Sequence, residues 1–142
     1  MKIELSKALQ QDIFKQMEGT FPNEGGGFLL GSKSGDTVSI VDVIQIENTF
    51  ETEEQYHRYA MSPKNWADME DTADDRGLTL VGYYHSHPDS PAIPSEYDRV
   101  HALPNFVYII SSVMSGKAVE MLVWLLRDDR SAFDAQELVV QP

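Results

Sequence analysis

An α/β domain with one mixed sheet and flanking helices is the fold this sequence predicts, on three observations. Its 142 residues fit a single domain, 1–142, long enough to bury about two thirds of the unfolded surface. Apolar residues with helical spacing alternate with Val- and Ile-rich runs of strand length. Turn residues join some runs as hairpins, while helical segments separate others, so strands of both senses are expected in an α/β/α-like sandwich.

Leu5, Leu9, Ile13, Met17 and Phe21 recur every four positions, predicting an amphipathic helix after Ser6 that ends near Gly19. Three glycines at 25–27 then allow close backbone approach before a short buried strand. Ser34-Gly35-Asp36 turns the chain into a second arm over Thr37 to Ile46. The polar stretch Asn48 to Tyr59 reads as an exposed loop or irregular strand, where Tyr56, Arg58 and Tyr59 could line a groove but read sooner as surface residues, and His57 reads as a surface or packing histidine.

Ser62 as N-cap with Pro63 at the first helical position opens a second helix, which Gly77 ends. Its acidic run, Asp68 to Asp75, lacks the spacing and glycine of a calcium loop and reads as a solvated face. Leu78 to His87 resumes strand character until a Pro-rich loop over Pro88 to Pro94. Ser95 caps a short helix through Ala102, with Asp98 at the capping-box position and His101 as a surface histidine. Phe106 to Ser112 and Ala118 to Arg127 are strands around Ser115-Gly116, and Glu137 to Val140 is an edge strand. Trp66, Trp124, Tyr83, Tyr84 and Tyr108 fall in apolar patterns and read as core, with hydroxyls that need partners.

With 23 acidic and 11 basic side chains the net charge is −12, which argues against nucleic acid because phosphate binding depends on Lys and Arg. No cysteine is present, so disulfide, thiolate and iron–sulfur chemistry are excluded and any metal must be held by nitrogen and oxygen. Residues 1–12 lack the apolar core of a secretory signal and no run is long enough to span a bilayer, so a soluble cytoplasmic protein is expected.

The chemistry concentrates in His85-Ser86-His87-Pro88 and Ser95-Glu96-Tyr97-Asp98. Residues two apart on a strand share a face, so His85 and His87 can present two imidazoles to one ion. Ser95 and Asp98, three apart on a helix, also share a face. Two imidazoles, a carboxylate and a water make up the ligand count of a catalytic zinc site, although a His-x-His pair alone also occurs structurally. Glu24 is the acidic residue of an apolar, glycine-rich segment, where partial burial would raise its pKa; taken alone it reads sooner as a surface turn carboxylate.

Glu24, followed by Gly27, Leu29, Leu30 and Gly31, together with His85-x-His87-Pro88-x6-Ser95-x2-Asp98, resembles the JAMM/MPN+ zinc metalloprotease family, stand-alone prokaryotic type. That resemblance implies a cytidine-deaminase-like fold and one zinc ion held by His85, His87 and Asp98. It further implies Glu24 as general base and acid, and Ser95 as the donor that stabilises the oxyanion. Gly26 stands where relatives commonly carry cysteine, which reads as a packing or redox adaptation. The implied activity is a metallopeptidase or isopeptidase acting on a ubiquitin-like or sulfur-carrier protein at its C-terminal Gly-Gly, with the tail laid along a strand edge. A non-catalytic binding scaffold of the same fold and a zinc hydrolase of a small amide are the alternatives.

Overall fold

A computed structural model describes residues 1–46 and 63–142. In chain order the elements are β1 (Lys2–Ser6), α1 (Lys7–Thr20), β2 (Gly26–Ser34), β3 (Thr37–Ile46), α2 (Pro63–Asp75), β4 (Thr79–Pro88), α3 (Glu96–His101), β5 (Val107–Met114), β6 (Lys117–Leu126) and β7 (Phe133–Gln141). The mixed sheet and flanking helices agree with the sequence-based expectation. The predicted 48–59 loop, the Ser62 cap, His57 and the groove residues Tyr56, Arg58 and Tyr59 lie outside the described residues.

The sheet order is β1-β3-β2-β4-β5-β6-β7, closed because β1 pairs in parallel with both β3 and β7. The chain ends differ from the sequence-based expectation. Residues 2–6, which the sequence pattern assigns to no element beyond counting Leu5 in the helical period, form a strand that leads straight into the helix expected after Ser6, with Ile3 and Leu5 buried. The last strand begins at Phe133 and is not an edge, since it pairs with β6 at one end and β1 at the other. Closure replaces the open sandwich with a sheet curled around α1, which touches β1, β3, β5, β6 and β7.

α1 starts where Ser6 Oγ accepts from Leu9 N–H at 3.0 Å, satisfying one orphan amide of the first turn. Its apolar stripe buries Ile13 and Met17 against Leu29, Val81, Tyr84, Ile109 and Val123. A second core, on the other face of the sheet, joins Trp66 and Ala73 of α2 to Phe28, Leu30, Tyr83 and Tyr108. Within it Phe28 meets Trp66 and Tyr83 edge-on at centroid distances of 4.9 and 5.0 Å, the geometry ring quadrupoles prefer.

β4, the strand that carries the histidines, is buried along nearly its whole length, with β2 antiparallel on one side and β5 parallel on the other. A register shift places Leu29 opposite Gly82 and Leu30 opposite Leu80, leaving Val81 as the extra residue. Leu80 and Tyr83 therefore serve the second core while Val81 and Tyr84 serve the first. Beside the bulge only glycine fits at position 82, because a Cβ there would meet Val107 O at 1.9 Å.

Candidate functional site

Downstream of the bulge, strand alternation carries Tyr83, His85 and His87 onto one face and Ser86 onto the other. His85 lies opposite Gly26 of β2 and Ile110 of β5, with its ring 6.3 Å from that of Tyr83. The chain then turns through Pro88–Pro94 and enters α3, whose first turn is a complete capping box. Asp98 N–H donates to Ser95 Oγ at 3.1 Å, and Ser95 N–H donates to Asp98 Oδ2 at 2.8 Å. The box fixes the Asp98 carboxylate at the two histidines.

Three donor groups converge there. His85 Nε2 and His87 Nε2 are 3.3 Å apart, and the Asp98 oxygens lie 3.2 Å from the former and 3.1 Å from the latter. His87 Nδ1 is 2.9 Å from Pro91 O. A carbonyl only accepts, so Nδ1 carries the proton and the Nε2 of the neutral ring presents a lone pair. Two imidazole nitrogens and a carboxylate at this range are held together by a shared positive charge, either a proton on an imidazole or a bound cation. Donors bound tetrahedrally at about 2.0–2.1 Å stand about 3.3–3.4 Å apart, close to the spacing observed, so the residues fit a zinc-like ion. Glu24 also offers an oxygen within 4.8 Å of the histidine donors.

Burial alone would raise the Asp98 pKa, but the charge and hydrogen bonds of His85, with those of His87 and Ser95 N–H, outweigh it and hold the carboxyl well below the usual carboxylate range. Glu24 goes the other way. It is 7% exposed, and burial first, then repulsion by Asp98, push it from 4.5 to about 9. Two carboxyl groups in one site thus differ in charge, as an acid–base site requires.

Glu24 and Ser95 share a cleft of about 350 Å³ with His87, Pro88, Asp89, Ser90, Pro91 and Ile93. Ser95 Oγ spends a lone pair on the Asp98 amide, which leaves its O–H to donate. All five residues singled out from the sequence therefore meet at one place.

The cleft wall is fastened by residues that sequence reading passed over. Ser112 Oγ donates to Ser90 O at 2.6 Å, Asp89 N–H to Val113 O at 2.8 Å, and Ser115 N–H to Asp89 Oδ1 at 2.7 Å. Trp124 is half-buried rather than part of either core, and its indole N–H donates to Ala92 O at 3.0 Å. Only Trp124 carried a sequence signal, an indole N–H that needs an acceptor when covered. Elsewhere, Tyr84 and Tyr108 are core as expected, bonded to Gln16 Oε1 at 2.5 Å and Leu103 N–H at 2.7 Å, and His101 is exposed.

Comparison with known proteins agrees with this fold. The family described as prokaryotic homologs of the JAB domain matches residues 6–127. The chain belongs to that family. Among JAB relatives, the desampylase of Haloferax volcanii is 33% identical over 95 residues, 66% of each protein, so the chain spans just under two thirds of that relative. An MPN domain-containing protein of Mus musculus shares 74% identity over 23 residues, 5% of its own length. Solution structures of proteins from Desulfitobacterium hafniense and Salinibacter ruber superpose with TM-scores of 0.82 and 0.75 at 26% and 32% identity; each match covers 98% of this chain and 92% or 91% of theirs. This JAB domain has no helix long and apolar enough to cross a membrane among the described residues.

Proposed function

We propose that this JAB domain is a zinc-dependent metallopeptidase or isopeptidase of JAMM type, cutting a peptide or isopeptide bond at the C-terminal Gly-Gly of a ubiquitin-like or sulfur-carrier protein. The carrying observation is the triangle of His85 Nε2, His87 Nε2 and Asp98 carboxylate with 3.1–3.3 Å sides beside a buried Glu24. Kinship with a protein named desampylase supports the substrate class.

His85, His87 and Asp98 would hold the ion. Bound there, zinc would polarise the scissile carbonyl and bring the pKa of a water to about 7. Glu24 takes the proton from the attacking water and returns one to the leaving amine nitrogen. A neighbouring dication favours the ionised carboxylate, which lets Glu24 begin as a base despite its burial. Ser95 O–H donates to the carbonyl oxygen as negative charge develops. Pro88, Pro91 and Ile93 give the cleft an apolar wall on which a tail of small residues can lie.

β2, β4 and β5 are each paired on both sides over most of their length, while among the described residues His87 and Pro88 of β4 have no partner on β2, so the tail would lie along that free end of β4.

The test is Glu24→Gln with a carrier protein extended or conjugated at its terminus, read by mass spectrometry. Hydrolysis should fall at least about 10³-fold while stoichiometric zinc is retained. Persisting hydrolysis would overturn the mechanism. Wild-type protein that binds no zinc would overturn the enzyme assignment in favour of a binding scaffold.

A further inference from the structure

Glu24 sits outside regular structure, between the end of α1 and the start of β2, in front of three consecutive glycines. Such a segment offers little backbone stiffness of its own, yet a proton-transferring carboxyl must be held within about 0.5 Å. One support of the segment's backbone comes from the far side of β4. Ser86, between the two histidines but pointing away from them and 1% exposed, accepts from Gly25 N–H through Oγ at 2.9 Å. Its own N–H donates to Gly25 O at 3.0 Å.

The first of these bonds acts on Glu24 itself. Gly25 N belongs to the same planar peptide unit as Glu24 C=O and Cα, so gripping that amide fixes the plane from which the Glu24 side chain departs. Gly25 also packs against Thr20, since a Cβ on it would meet Thr20 Oγ1 at 2.5 Å, and Asn23 N–H donates to Thr20 O at 2.8 Å. Thr20 at the end of α1 and Ser86 on β4 thus both bear on this residue.

We propose that Ser86 is the positioning residue for Glu24. Through a single strand, His85 and His87 orient toward the metal on one face, and the residue between them sets the general base from the other. The inference rests on the reading of Glu24 as the proton carrier. It predicts that the Ser86 hydroxyl matters to the rate of chemistry and not to metal or substrate binding.

The test compares zinc-loaded wild type with Ser86→Ala and Ser86→Thr. Ser86→Ala should lower kcat by about 10–100-fold with KM within about twofold and zinc stoichiometry unchanged. Ser86→Thr, which keeps Oγ, should recover most of the rate. In the metal-free proteins, amide exchange at Gly25 should quicken in Ser86→Ala and remain slow at His85 and His87. Unchanged kcat, or unchanged Gly25 exchange, would overturn the proposal, as would rate and zinc content falling together. If Ser86→Ala does not fold, Ser86→Cys keeps the volume with a weaker acceptor and is judged by the same measures. Inactivity of the wild type toward every carrier conjugate would count against the function, whereas failure of the clamp is read at Gly25.

Discussion

Removing the charge of Glu24 should stabilise the metal-free protein, and the gain should depend on pH. Burial and Asp98 raise this carboxyl from 4.5 to about 9. Between those values the folded protein keeps a proton that the unfolded chain has released, so stability falls as pH rises, by about 1.4 kcal/mol per pH unit. The stability linked to the bound proton is fully present below 4.5 and is lost progressively toward 9. Glu24→Gln is neutral at every pH and escapes the loss. Relative to wild type it should gain about 2 kcal/mol at pH 6 and about 3–5 kcal/mol at pH 8, with little difference at pH 4.5. Urea unfolding of both metal-stripped proteins over that range measures the difference, and contributions from other titrating groups largely cancel. A gain independent of pH, or a Gln variant weaker than wild type at pH 8, would refute the burial argument. Saturating zinc should narrow the gap, since a nearby cation makes the carboxylate acceptable.

Asp98→Ala removes both a proposed ligand and the acceptor for Ser95 N–H, so zinc affinity by competition with a chelator should fall at least about 100-fold; Asp98→Asn, which retains an acceptor, should lose the zinc but keep more of the thermal stability. Ser111 Oγ is buried on β5 with no hydrogen-bond partner among the described residues, so Ser111→Ala should stabilise by about 1 kcal/mol, seen as a Tm about 3 °C higher in calorimetry. A lower Tm would mean that the hydroxyl is satisfied.

The site was largely legible because its parts are local. His85 and His87 follow the two-residue strand period and Ser95 and Asp98 the first turn of a helix, so their shared faces can be read from spacing. Glu24 stood out as a carboxyl in an apolar, glycine-rich segment, but family resemblance was needed to prefer it over a turn carboxylate, since nothing near it in sequence says that β4 will cover it. Closure of the sheet was not legible. Lys2–Ser6 pairs with Glu137–Gln141, and Leu5 fits the four-residue period of α1 as well as a strand. Parallel pairing across that separation leaves no turn signature. Ser86, Ser112 and Trp124 show the same limit: their partners Gly25, Ser90 and Ala92 are distant in sequence, and the side chains alone do not name them.

The fastened cleft wall decides where the entropy of recognition falls. With Asp89, Ser90, Pro91 and Ala92 each tied to neighbouring structure, this part of the wall need not freeze when a tail arrives. The loss of freedom is then borne by the incoming tail, at about 1–2 kcal/mol per ordered residue, and glycine loses the most. A short glycine peptide has little surface with which to recover that loss. The folded body of a carrier, anchored elsewhere on the domain, would deliver its tail at a high local concentration, so under the proposed function a wall tied in this way should favour whole proteins over their excised ends.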